Sequence, residues 1–81
     1  MKLPRNVSGN KLARALNRLG YETTRQTGSH LRLTTSQNGQ HHLTIPNHDP
    51  IKVGTLSGIL SDVAGHFKIS RDELIQRIFD K

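Results

Sequence analysis

The sequence predicts an α+β fold: a two-layer sandwich of α-β-β-β-α order with a further helix at its end, built on a three-stranded antiparallel sheet. Three observations predict it. Hydrophobic spacing runs at helical period to Leu19, switches to alternation between Tyr21 and Ile45, and returns to helical period after Thr55. Turn residues (Gly20, Gly28-Ser29, Asn38-Gly39 and Pro46) fall where the period changes or an alternating run stops. The chain has 81 residues, 32% hydrophobic and 4% aromatic, enough to fill one core but not two, so residues 1–81 are expected to be a single domain.

Each element has its own reason. Ser8 is a favourable N-cap, and Leu12, Leu16 and Leu19 follow at helical spacing with Ala13 and Ala15 beside them; Gly20 supplies the stop. Lys11, Arg14 and Arg18 form a second stripe on the same helix, roughly 130° from the leucines at 3.6 residues per turn. Tyr21–Thr27 is threonine-rich and reads as a strand ended by Gly28-Ser29. His30–Thr35 alternates, with Leu31 and Leu33 on one face and His30, Arg32 and Thr34 on the other. Asn38-Gly39 marks a hairpin, after which His41–Ile45 sets Leu43 and Ile45 against His42 and Thr44, and Pro46 ends the strand. Thr55 is expected to cap a helix carrying Leu56, Ile59, Leu60 and Val63, with Gly65 just after its end. Ser70 and Glu73 have the spacing of a capping box ahead of Leu74, Ile75, Ile78 and Phe79. Helices must cover the apolar sheet face, leaving the face that carries His30 and Arg32 open.

The formal net charge is +6, and all of the excess lies in residues 1–40, where seven Lys and Arg face a single acid, Glu22. That asymmetry points to a polyanionic partner, nucleic acid before any other. The chain has no Cys, which removes disulfides, thiolate metal sites and cysteine nucleophiles. Asp49, Asp62, Asp72, Glu73 and Asp80 are scattered rather than clustered, and His41, His42 and His48 lack metal-site spacing, so no metal and no small-molecule cofactor is expected. Apolar runs are far too short for a membrane span, and Met1–Arg5 has no apolar stretch of a secretory signal. The expected location is the cytoplasm.

These residues resemble the HicA family (also called YcfA-like), the toxin half of bacterial toxin–antitoxin pairs. Ser8-Gly9 at the first helix, Leu19-Gly20-Tyr21-Glu22, Arg25-Gln26-Thr27-Gly28-Ser29-His30, Leu43-Thr44-Ile45-Pro46 followed by His48, then Lys52-Val53-Gly54-Thr55-Leu56 and Ile59-Leu60 match its motifs in order, over about residues 4–64. The resemblance implies a double-stranded-RNA-binding-domain-like fold. It also implies ribosome-independent cleavage of mRNA, with the histidine of Gly-Ser-His, here His30, as the essential residue. It implies a HicB-type antitoxin that occludes the site.

The chemistry suits these residues. RNA carries its own nucleophile, the 2′-hydroxyl, so cleavage needs that group deprotonated, the phosphorane charge stabilised and the 5′ oxygen protonated. A histidine titrates near pH 6.5 and serves as a base at neutral pH; a positioned acid or base contributes about 10²–10⁴-fold. Gly28, lacking a Cβ, would let a phosphate approach the turn at Ser29, whose amides can form an anion-binding concavity. Arg32 shares the face of His30, and Arg25 lies on the neighbouring strand, both candidates for phosphate contact. Lys11, Arg14 and Arg18 are candidates for general RNA-backbone binding. One imidazole cannot be base and acid in the same instant, so water or a second group such as His42 must give the other proton. The runner-up is a non-catalytic RNA-binding module; a DNA-binding protein ranks third, for want of a recognition helix. An antitoxin covering the basic first half should present an acidic surface.

Overall fold

In the computed structural model, which describes Pro4 and residues 6–79, the chain forms α1 (Gly9–Leu16), β1 (Glu22–Gln26), β2 (His30–Thr35), β3 (His41–Pro46), α2 (Val53–Phe67) and α3 (Arg71–Phe79). The expected α+β sandwich of α-β-β-β-α-α order is present. The expectations for Met1–Leu3, Arg5 and Asp80 lie outside the described residues.

Ser8 starts α1 as its sequence position predicts, its Oγ accepting the Lys11 amide at 3.0 Å. The last turn tightens into a 3₁₀ turn, Asn17–Leu19, and Gly20 follows in the left-handed region at φ 82°. A Cβ there would lie 2.7 Å from the Gln37 side chain and 2.9 Å from Thr35 Oγ1, so glycine serves both conformation and packing.

The sheet is an antiparallel meander with β2 in the centre. Alternation is kept in β2 and β3: Leu31, Leu33, Leu43 and Ile45 are buried, whereas His30, Arg32, His42 and Thr44 are exposed. Thr35 joins the buried side, donating to the Leu19 carbonyl at 2.8 Å and accepting the Gln37 amide at 3.1 Å. β1, at one edge of the sheet, is exposed at every position. A bulge between Thr23 and Arg25 shifts its register, so Arg25 lies opposite Arg32 while Thr24 Oγ1 reaches the Arg32 carbonyl at 3.3 Å.

The helices fill one layer against Leu31, Leu33, Leu43 and Ile45. Val7, Leu12, Leu16, Tyr21, Ile51, Leu56, Leu60, Val63, Leu74, Ile75 and Ile78 complete one contiguous core. Two helix boundaries differ from expectation. Thr55 is not the N-cap of α2; Lys52 precedes the first helical residue and Leu56 N–H already bonds the Lys52 carbonyl at 2.9 Å. The start is set by tertiary anchoring, since buried Ile51 donates to the Val7 carbonyl at 2.8 Å and fixes the chain just upstream. Nor does Gly65 end α2. The helix continues to Phe67, and Lys68 takes the left-handed position at φ 57°, with the Ile69 amide closing on the Ala64 carbonyl at 3.0 Å. Half of the predicted capping box forms ahead of α3: Ser70 Oγ accepts the Glu73 amide at 3.1 Å, while the Glu73 carboxylate turns to Arg77 at 2.6 Å.

Candidate active site

His30 opens β2, fully on the open face of the sheet. The preceding turn is closed by the Thr27 amide donating to the His30 carbonyl at 2.9 Å, which brings Ser29 Oγ within 3.0 Å of His30 Nδ1. Ser29 therefore holds one ring nitrogen and leaves Nε2 toward solvent. Gly28 has no positive φ, and a Cβ added to it would meet no atom within 4 Å, so neither conformation nor internal packing requires a glycine there. What remains is the outside of the turn, open to close approach.

Arg32 follows two positions on, about 7 Å along the strand. Its cross-strand partner is Arg25. Two like charges directly opposite in an antiparallel ladder destabilise it, and neither guanidinium bonds to a described acidic group. A pair of arginines kept together without a carboxylate makes a place for an anion. Thr44 lies on the other side of Arg32, so the open face around His30 and Arg32 is hydroxyl- and cation-bearing, with no buried pocket needed.

The other residues predicted for the site are not all gathered here. α1 turns Gly9, Leu12, Ala13 and Leu16 to the core, so Lys11 and Arg14 point away from the sheet. Arg18 Nη1 donates to the Arg77 carbonyl at 3.2 Å, on the helical side of the molecule. This stripe and His30 occupy opposite layers. His42, considered as a helper of His30, faces Thr34, whose Oγ1 lies 2.8 Å from its Nδ1. His30 instead faces Pro46, four residues along β3, so the two imidazoles are roughly 13 Å apart along the strand.

The alternation of β3 also separates His41 from His42, and sequence reasoning grouped them. His41 lies on the inner side, its Nδ1 2.7 Å from Tyr21 Oη and its Nε2 3.5 Å from Asp62. His66 stacks on it at 4.4 Å between ring centroids and 13° between planes. His66 Nε2 is 3.0 Å from the Gln37 carbonyl and 3.1 Å from that of Gly39, both acceptors, so this nitrogen carries a proton and clamps the β2–β3 hairpin. Burial pushes the Tyr21 hydroxyl well above the usual phenol range, and the charge of Asp62 adds to that rise. The signal for this cluster was available: His41 shares the parity of Leu43 and Ile45. Among the described residues, no group of three or more His, Cys, Asp or Glu is arranged to hold a metal ion, and no helix is long and apolar enough to cross a membrane.

The molecule is thus a small basic α+β sandwich of α-β-β-β-α-α order whose open sheet face carries a histidine and two arginines. The chain belongs to the HicA toxin family: the family model described as HicA toxin of bacterial toxin-antitoxin matches residues 9–64, from the start of α1 through most of α2. Membership makes it the toxin of a toxin–antitoxin pair and implies an antitoxin partner. No curated protein and no solved structure matches the chain significantly.

Proposed function

We propose that this protein is a metal-independent endoribonuclease that cleaves mRNA, acting in the cytoplasm with His30 as its general base. The observation that carries the reading is the exposed His30 imidazole, tethered at Nδ1 by Ser29 at 3.0 Å beside the facing Arg25 and Arg32. In this scheme His30 Nε2 takes the 2′-hydroxyl proton, the 2′ oxygen attacks phosphorus, and the guanidinium groups of Arg25 and Arg32 stabilise the phosphorane charge. The amides around Gly28 and Ser29 supply further donors to the phosphate. Lys11, Arg14 and Arg18, on the other layer, act as a general electrostatic surface for RNA. The partner is a HicB-type antitoxin with an acidic surface that covers His30.

The test is direct. Purified protein should break transcripts in the presence of EDTA, and His30→Ala should abolish the breaks while its circular dichroism is unchanged. Intact RNA with salt-sensitive retention would identify a non-catalytic binder instead. Cleavage that survives the loss of the ring would move the chemistry elsewhere.

A further inference from the structure

We infer that His48 is the second catalytic residue of this site, the acid that protonates the leaving 5′ oxygen. The assignment rests on the ribonuclease reading above and completes it. Of the five histidines, three are elsewhere: His42 faces Thr34 at the far end of the sheet, and His41 and His66 are stacked on each other on the helical side. His48 is the one that shares the His30 end.

The backbone brings it there. Pro46 is the cross-strand partner of His30, and the Asn47 amide donates to the Ser29 carbonyl at 2.9 Å, continuing the ladder into the turn that holds His30. Ladder spacings put the next residue, His48, within about 10 Å of His30 between α-carbons. That is a separation for two imidazoles flanking one phosphodiester rather than bonding to each other. His48 has the parity of His42 and Thr44, and like them its side chain is exposed.

The segment that carries it is pinned at three points. Besides the Asn47 bond, the Gly9 amide donates to the His48 carbonyl at 2.9 Å and the Ile51 amide to the Val7 carbonyl at 2.8 Å. Gly9 allows the first of these contacts, because a Cβ there would stand 2.5 Å from the Pro46 carbonyl oxygen and 3.0 Å from Asn47 Cα. The start of α1 is thus seated on the Pro46–His48 segment, and a loop held this way can present a catalytic group without reordering.

The step balances. His30 takes the proton of the 2′-hydroxyl; the 2′ oxygen forms a bond to phosphorus and the P–O5′ bond breaks. The 5′ oxygen leaves with its electron pair and takes the proton of the His48 imidazolium. The products are a 2′,3′-cyclic phosphate and a 5′-hydroxyl.

A substrate with sulfur in place of the bridging 5′ oxygen tests this, because a thiolate leaves without a proton. His48→Ala and His48→Gln should lower cleavage of ordinary RNA about 10²-fold or more. Both should cut the sulfur-bridged RNA within a few-fold of the unsubstituted protein, whereas His30→Ala should stay defective on both substrates. Unchanged circular dichroism and melting temperature are expected, since the His48 contact to Gly9 is made by its carbonyl. Cleavage of ordinary RNA at the full rate by either His48 variant overturns the assignment, as does an equal defect on both substrates. Failure of the unsubstituted protein to cut either substrate overturns the ribonuclease reading as well.

Discussion

The two ends of the β2–β3 hairpin use the same residue type in opposite ways. At the turn end, His41 and His66 are engaged on several sides: Tyr21, Asp62, two backbone carbonyls and each other's ring faces. At the open end, His30 keeps one tether to Ser29 and leaves the rest of its ring exposed. An imidazole held by several partners at once holds a structure together; one with a single tether beside uncompensated arginines is available for proton transfer. Histidine content alone does not distinguish these uses. The number of partners does.

The largest expected effect breaks the comparison at the open end. His30→Ala should reduce RNA cleavage by at least about 10²-fold with no change in melting temperature, measured on the same preparation. His66→Ala should do the reverse, costing about 1–2 kcal/mol in denaturant unfolding through the lost hairpin clamp and leaving kcat unchanged. If His66→Ala abolished cleavage, or His30→Ala unfolded the protein, the contrast would be wrong.

Gly9→Ala tests the seat between α1 and the Pro46–His48 segment. The clash is with backbone, which has little room to yield, so a loss of about 1–3 kcal/mol is expected. An unchanged unfolding midpoint would show that the seat is looser than the 2.5 Å approach indicates.

Tyr21 sharpens the turn end through pH. Its hydroxyl titrates higher in the folded chain than in the unfolded one, chiefly through burial and then through Asp62. The protonated form is therefore favoured by folding: its contribution is fully present below the ordinary tyrosine range and is lost as pH rises above about 10. Tyr21→Phe should flatten that alkaline loss in pH-dependent unfolding. A slope identical to that of the unsubstituted protein would rule out Tyr21 as its source.

The smallest effect lies at the end of α2. Lys68 holds a left-handed conformation at φ 57° that glycine adopts without steric cost. Lys68→Gly should stabilise the protein by up to about 1 kcal/mol, offset in part by the greater freedom of glycine in the unfolded chain. A destabilised variant would mean that the lysine side chain contributes more than its backbone strain removes.

The sequence by itself determined the element order, the inward and outward faces of β2 and β3, the first N-cap and the family motifs, because helical and alternating periods are local properties of the backbone. Parity also set His30 and Arg32 on one face, but it was the match of Gly28-Ser29-His30 to the family's motif that singled out His30 and Ser29. Tertiary structure alone decided that Arg25 faces Arg32, that His42 faces Thr34 rather than His30, and that Lys11, Arg14 and Arg18 lie on the opposite layer. It also decided that α2 starts before Thr55 and outlasts Gly65. Parity says which side a residue takes, but register, a bulge and the seating of a loop depend on contacts between segments distant in the chain, which no short window of residues contains.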